Sequence, residues 1–205
     1  MHKNNHESGF SLVEIAIVLL IIGVIIGGVL KGQDLIDSAR IKATIQQINE
    51  YKMAVANFQD RFGALPGDFG QAEDQIGGGA QNGDNDGQIN ADESIKFWKQ
   101  LSAAGLLSSL AHENTMPAAK IGGVITVEYF EGEHWFVLGS GDGKGPLLSP
   151  QQAMSIDKSL DNGDPRTGNV RSIEGTGAVA NGCVKADGKY NLENKEKVCI
   201  VRVKF

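Results

Sequence analysis

The chain has 205 residues, of which 41% are hydrophobic and 21% charged, so a packed core is expected and a disordered polyelectrolyte is excluded. The formal net charge of -6 argues against general nucleic-acid binding, because contacts to phosphates need a surplus of Lys and Arg. The chain contains 27 glycines, and 6% of its residues are aromatic. This composition predicts many turns between short elements.

An apolar segment covers residues 10–30 and contains one ionisable side chain, Glu14. A helix of this length can cross about 30 Å of hydrocarbon, and it exceeds the apolar core of ~7 to 15 residues found in a cleaved secretory signal. We therefore predict a retained membrane-spanning helix. The charges on its two sides are mixed, so they do not set its orientation.

Glu14 is unusual because a carboxylate inside a membrane span is costly and normally has a partner. One interpretation places it near the lipid headgroups at the end of the span. The other begins with cleavage between Gly9 and Phe10, which would create an α-ammonium group four residues before Glu14. An ion pair between that ammonium group and Glu14 of a neighbouring subunit would favour one stagger of adjacent helices.

Residues 9–14, GFSLVE, follow a short polar leader and open the apolar run. This arrangement resembles the prepilin cleavage and methylation motif of type IV pilins and type II secretion pseudopilins. The resemblance implies that a prepilin peptidase removes residues 1–9, that Phe10 becomes N-methylated, and that Glu14 pairs with the N-terminus of an adjacent subunit. It also implies a cytoplasmic leader, a single-pass inner-membrane helix, a periplasmic head and an inner-membrane assembly platform as partner.

The helix is predicted to continue to Phe62. Between residues 41 and 62, apolar side chains recur at spacings of three and four with polar ones between them. Gly63 suits the position after a helix end, and Pro66 prevents continuation. The apolar stripe either packs on the chain's own head or forms a coiled-coil seam with another protein. The first interpretation is favoured because the glycine-rich residues 63–205 need a helix to pack on.

An acidic loop follows at residues 82–93, NGDNDGQINADE. It fits a twelve-residue calcium loop of the EF-hand type, although Asn replaces Asp at the first position and no helical pattern precedes it. Its candidate oxygen ligands occupy positions one, three, five, seven and twelve: Asn82, Asp84, Asp86, the Gln88 carbonyl and Glu93. We predict calcium as the ligand of this loop, and a turn that hydrogen-bonds to itself is the alternative.

Four further segments of the head have a clear pattern. They are an amphipathic helix over residues 94–107, a hairpin with strands at 123–130 and 134–138, a helix over 149–160 capped by Ser149, and a terminal strand over 198–205. Trp98 shares an apolar face with its neighbours and is predicted to lie in the core. Asp157, Asp161 and Asp164 leave open a second cation site, against an ordinary solvated turn.

The two cysteines, Cys183 and Cys199, are too few for a cysteine zinc site and fit one disulfide, with two buried free thiols as the alternative. The disulfide would close a loop over residues 183–199 and contribute about 3 kcal/mol in the chain-entropy model. It would form outside the cytoplasm, in agreement with the topology that the resemblance implies. In type IV pilins such a C-terminal loop takes part in assembly and contact, whereas it is not a regular feature of major pseudopilins.

Catalysis is not indicated. His112 and His134 belong to no nucleophile, zinc or phosphate motif, and neither G-x-S-x-G nor H-E-x-x-H occurs. The glycine-rich residues 139–145 lack the spacing of a phosphate-binding loop. We therefore predict that the chain is not an enzyme.

Together these features predict an α+β pilin fold, in which a leader over residues 1–9 precedes a long helix over 10–62 and a loop-rich antiparallel head over 63–205. The function indicated is a structural subunit of a type IV pilus-like filament, in the periplasm or at the cell surface, built from copies of this chain or other pilins. A type II secretion pseudopilin that drives protein export is the first alternative. A membrane-anchored calcium-binding protein that does not polymerise is the second, and it gives no reason for Gly9, Phe10 and Glu14 to occur together.

Overall fold

The computed structural model describes residues 11–107 and 116–205. Gly9 and Phe10, with the predicted cleavage site between them, lie outside the described residues, and so does His112. The chain divides into two compact units, Met1–Ala39 and Arg40–Phe205.

Helix α1 spans Leu12–Phe62, and its N-terminal part makes up nearly all of the described portion of the first unit. Large apolar side chains are exposed along its residues 12–29, and their exposure ranges from 45% at Ile22 to 91% at Leu12. Among the described helices, α1 alone is long and apolar enough to cross a membrane. A helix suits such a segment because it satisfies its backbone hydrogen bonds internally. The predicted helix is therefore confirmed from Leu12 onward.

In the second unit, α1 buries one face in the core of the head. The apolar side chains buried on that face are Ile48, Tyr51, Ala54, Val55 and Phe58. The predicted amphipathic stripe thus packs within the chain and not as a seam with another protein. The helix stops after Phe62 because Gly63 has a φ of 68°, a left-handed conformation that glycine adopts without strain. The predicted helix end is confirmed.

Two polar side chains share the buried face of α1, Thr44 and Gln47. The Gln47 amide donates to the Ala118 carbonyl at 2.9 Å and accepts from the Lys120 N–H at 3.1 Å. The Thr44 hydroxyl accepts from the Ile121 N–H at 3.0 Å. These bonds attach α1 to the backbone of the segment that leads into the sheet, and they give both buried side chains hydrogen-bond partners.

Within the described residues, the head contains an antiparallel sheet of four strands in the order β1-β2-β4-β3. The strands are β1 Val124–Phe130, β2 Glu133–Gly139, β3 Val170–Glu174 and β4 Cys199–Lys204. Strands β1 and β2 form the predicted hairpin, with Val127 opposite Phe136, and β4 pairs with both β2 and β3. The predicted terminal strand is confirmed, whereas β3 has no counterpart among the predicted elements.

The described part of the head also contains three shorter helices: α2 Ala72–Gln75, α3 Glu93–Ala103 and α4 Pro150–Leu160. Both predicted helices, α3 and α4, are confirmed, and α2 was not predicted. Helix α4 begins with a capping box between Ser149 and Gln152, which confirms the prediction that Ser149 caps this helix.

Aromatic side chains join α1, α3 and the sheet in the core. The Trp98 ring of α3 lies 4.9 Å from the Tyr51 ring of α1 and 5.9 Å from the Phe136 ring of β2, measured between centroids. Trp98 is 2% exposed, which confirms its predicted core position. Aromatic pairs at such separations add to the stability gained by burial alone. Helix α3 is thereby fixed between α1 and the sheet.

Candidate functional site

The N-terminal end of α1 carries a reciprocal pair of hydrogen bonds between Ser11 and Glu14. The Ser11 N–H donates to the Glu14 carboxylate at 2.8 Å, and the Glu14 N–H donates to the Ser11 hydroxyl at 3.2 Å. This is a capping box, which satisfies two N–H groups that have no acceptor within the helix. A carboxylate in the first turn is also favoured by the helix macrodipole.

The local role of Glu14 was not part of the predicted site, although the Ser-x-x-Glu spacing signals it in the sequence. Both residues are exposed. Glu14 therefore has a partner inside its own chain and remains accessible to a second chain.

Four carboxylates form an acidic cluster in the head: Asp68, Asp84, Asp86 and Glu93. One oxygen atom from each lies within 4.8 Å of the others. Asp68 follows the end of α1, Asp84 and Asp86 lie in the predicted loop, and Glu93 is the first residue of α3. The cluster therefore joins three parts of the head.

Two members of the acidic cluster are buried and accept hydrogen bonds from the backbone of the loop. Asp68, which is 4% exposed, accepts from the N–H groups of Asp86 at 2.9 Å and Gly87 at 3.1 Å. Glu93, which is 1% exposed, accepts from the N–H groups of Asp84 at 3.0 Å and Asn90 at 3.2 Å. The side chains of Asp84 and Asp86 are exposed and complete the cluster from the solvent side.

The backbone of the loop accommodates this arrangement at its glycines. Gly87, at the sixth position of the predicted motif, has a φ of 82° and allows the sharp bend that is typical of an EF-hand-type loop. Gly83 passes so close to the segment after α1 that a Cβ there would lie 2.3 Å from the carbonyl carbon of Asp68. A larger residue at either position would distort the cluster.

The electrostatics of the cluster favour a bound cation. Burial raises the pKa of the Asp68 carboxyl, and the nearby charges of Asp86 and Asp84 raise this pKa further, against the opposing effect of the two N–H donors. Four carboxylates at this separation repel one another when ionised. Their all-oxygen donor set suits a hard cation such as calcium better than zinc, which prefers nitrogen and sulfur.

The structure brings together the three carboxylates among the five predicted loop ligands, Asp84, Asp86 and Glu93. The Asn82 side-chain oxygen accepts from the Glu73 N–H at 2.9 Å and so helps to hold α2. The Gln88 N–H donates to Asp86 at 2.7 Å. Asp68 joins the cluster from outside the twelve-residue motif, and no spacing rule in the sequence indicates it.

The sequence leaves open a second cation site at Asp157, Asp161 and Asp164. In the structure, each of these carboxylates accepts hydrogen bonds from a different part of the chain. Asp157 accepts from the Tyr190 hydroxyl at 2.8 Å and the Gly163 N–H at 2.9 Å. Asp161 accepts from the Val170 N–H at 3.1 Å, and Asp164 from the Arg166 N–H at 3.0 Å. Within residues 11–107 and 116–205, these three do not form a group of metal-ligating atoms such as the acidic cluster.

Cys183 and Cys199 form a disulfide whose Cα atoms are 5.1 Å apart, and both residues are fully buried. The predicted disulfide is confirmed, and the alternative of two free thiols is wrong. The bond fixes both ends of the C-terminal loop, because Cys199 is also the first residue of β4.

A long apolar N-terminal helix combined with a small four-stranded antiparallel head is an α+β architecture consistent with the pilin fold. Residues 4–30 match the family model of the prokaryotic N-terminal methylation motif. The chain therefore carries the prepilin signal of type IV pilins and pseudopilins, and the resemblance noted in its sequence is confirmed over this segment. This motif implies processing by prepilin peptidase and pilin-like assembly, and with the apolar helix it is consistent with membrane anchoring. No curated protein matches the chain significantly.

Proposed function

We propose that the chain is a structural subunit of a type IV pilus-like filament, cleaved between Gly9 and Phe10 and polymerised through its N-terminal helix. The observation that carries this proposal is the prepilin signal at residues 4–30, placed directly on a helix whose apolar side chains are exposed. In the membrane these side chains contact lipid, and in a filament they pack against the helices of neighbouring subunits.

Glu14 sets the stagger between neighbouring helices in this proposal. After cleavage, the α-ammonium group of Phe10 in one subunit pairs with Glu14 in the next. Such a pair, withdrawn from water, favours one helix register because any other register leaves a charge unpartnered. The capping box with Ser11 keeps the carboxylate hydrogen-bonded before assembly.

The test of the filament proposal is mass spectrometry of filaments sheared from cells. We expect the chain in the sheared fraction, without residues 1–9 and with a methylated Phe10. Gly9→Leu should leave the leader attached and keep the chain in the membrane, because a bulky side chain obstructs the peptidase. A sheared fraction without the chain, or an intact Met1 in wild-type cells, would reject the proposal.

The runner-up function is that of a type II secretion pseudopilin. The disulfide between Cys183 and Cys199 supports the pilus, since a C-terminal disulfide loop resembles that of type IV pilins more than that of major pseudopilins. Deletion of the gene distinguishes the two functions. Loss of surface filaments with normal protein export supports the pilus, and loss of export without loss of surface filaments supports the pseudopilin.

We further propose that the acidic cluster binds calcium. Support comes from the convergence of Asp68 with three carboxylates of the loop and from the sharp bend at Gly87. Calcium prefers six to eight oxygen ligands, which carboxylates, backbone carbonyls and water together can supply. Calorimetric titration of the full chain in detergent micelles should show calcium binding that is tighter than magnesium binding. Equal affinity for the two ions, or no binding of either, would reject this proposal.

A further inference from the structure

Gln100 is a fully buried side chain of α3 that bonds to the backbone on both sides of Asp68. Its side-chain oxygen accepts from the Gly67 N–H at 2.6 Å. Its amide nitrogen donates to the Phe69 carbonyl at 3.3 Å and to the Gln81 carbonyl at 2.7 Å. One amide group thus bonds to three backbone groups, and an apolar side chain in its place would leave the Gly67 N–H and the Gln81 carbonyl without this partner.

The segment around Asp68 lies between α3 and the acidic loop. On the loop side, the Asn85 N–H donates to the Asp68 carbonyl, and the Gly83 N–H donates to the Phe69 carbonyl, both at 2.9 Å. On the helix side, a Cβ at Gly67 would lie 2.9 Å from the Glu93 carbonyl oxygen. A shift of this segment would therefore move Asp68 relative to the other carboxylates of the cluster.

We propose that Gln100 is the positioning residue of the cation site. It acts through Asp68, because its three hydrogen bonds hold the residues before and after Asp68 and the residue that leads into the loop. These bonds keep an Asp68 carboxylate oxygen within 4.8 Å of the oxygens of the other three carboxylates of the cluster. This inference rests on the proposed calcium site. It adds that tight binding requires Gln100 as well as the four carboxylates.

The test compares two buried glutamines by calcium titration of the full chain in detergent micelles. Gln100→Met keeps the side-chain volume and removes the three hydrogen bonds. We expect it to weaken calcium binding by about 10- to 100-fold, the usual effect of removing a hydrogen-bonding group that orients a metal ligand. Gln47→Met is the matched control, because Gln47 is buried and bonds to backbone of the head away from the loop. It should change the calcium affinity less than about twofold, as expected for an independent site.

A measurement on the wild-type chain keeps the inference testable if Gln100→Met does not fold. The Gly67 N–H donates to Gln100, and the Gly163 N–H donates to Asp157, away from the cluster. We expect calcium to slow amide hydrogen exchange at Gly67 by about tenfold or more and to slow exchange at Gly163 less.

The outcomes separate this inference from the calcium proposal. A wild-type chain that binds no calcium overturns both. Calcium binding by the wild type with equal affinity in Gln100→Met and Gln47→Met overturns the role of Gln100 alone. Equal slowing of exchange at Gly67 and Gly163 in a chain that binds calcium does the same.

Discussion

The phenolic hydroxyl of Tyr190 donates a 2.8 Å hydrogen bond to the carboxylate of Asp157, which is fully buried. Tyr190 belongs to the disulfide-bounded loop and Asp157 to α4, so this bond joins the C-terminal loop to a helix far from it in sequence. Ser172 of β3 lies 2.9 Å from the same phenolic oxygen. The loop, α4 and β3 therefore share one buried polar network, whose loss is costly because its groups are withdrawn from water.

Replacement of Tyr190 by Phe removes the hydroxyl from this network and leaves Asp157 with one hydrogen-bond donor fewer. We expect the free energy of unfolding to fall by about 1 to 3 kcal/mol, the usual effect of leaving a buried polar group unpaired. Tyr129→Phe is the control, because Tyr129 is 37% exposed and its replacement should change stability by less than about 0.5 kcal/mol. Urea unfolding of the full chain in micelles measures both. An equal loss in the two variants would contradict the role of the network.

Asp157 should also make stability depend on pH. Burial raises the pKa of the Asp157 carboxyl, and the charges of Asp161 and Asp164 add to this, while hydrogen bonds from Tyr190 and Gly163 oppose it. A raised pKa means that the folded chain binds the proton more tightly than the unfolded chain. The resulting stabilisation is complete below the ordinary Asp pKa of about 3.9 and is lost as the pH rises through the folded-state value.

Asp157→Asn lacks this ionisation, so it provides the comparison. We expect the unfolding free energy of the wild type, relative to that of the variant, to decrease as the pH rises from acidic to neutral. Urea unfolding of both chains at matched pH values gives this difference directly. A difference that does not change with pH, or that grows as the pH rises, would show that Asp157 has no raised pKa.

Replacement of Glu14 by Leu should preserve membrane insertion, since it removes a polar group from lipid, and should strongly reduce filament formation. Glu14→Gln is the matched variant, because its side-chain oxygen can still accept from the Ser11 N–H while the charge is lost. If assembly requires the ion pair, both variants should yield little filament in sheared fractions. Undiminished polymer from Glu14→Gln would mean that the carboxylate acts through its local cap and not through a charge pair.

Calcium should stabilise the folded head because it binds the folded cluster and relieves repulsion among its carboxylates. At a hundredfold excess over Kd, the stabilisation is about 2.7 kcal/mol, enough to raise the melting temperature by several degrees. Magnesium should have a smaller effect, because it demands tighter octahedral geometry. Thermal melts of the full chain in calcium, magnesium and chelator measure these differences.

Asp86→Ala should abolish the calcium-dependent increase in melting temperature. Asp142→Ala is the control, because Asp142 is an exposed acidic residue of another loop and its loss should leave the increase unchanged. Identical melting temperatures of the wild type in calcium and in chelator would show that the loop is an ordinary turn. The filament proposal would stand, since it does not depend on the ion.

The features that the sequence alone determined depend on residues close together in the chain. The membrane-length helix follows from an uninterrupted apolar run, its end from Gly63, and the start of α4 from Ser149 and Gln152 three residues apart. The prepilin signal is likewise one contiguous string. Periodicity and capping are local properties, so sequence patterns identify them without knowledge of the fold.

Features that join distant segments were decided by the tertiary structure. Asp68 enters the acidic cluster because packing after α1 brings it to Asp84 and Asp86, and Gln100 reaches the same segment from α3. Strand β3 has little apolar pattern of its own and forms because β4 supplies its hydrogen-bonding partner. The bond between Tyr190 and Asp157 also depends on the fold. A carboxylate withdrawn from water requires a hydrogen-bond donor, and only the folded chain brings the distant Tyr190 hydroxyl to Asp157.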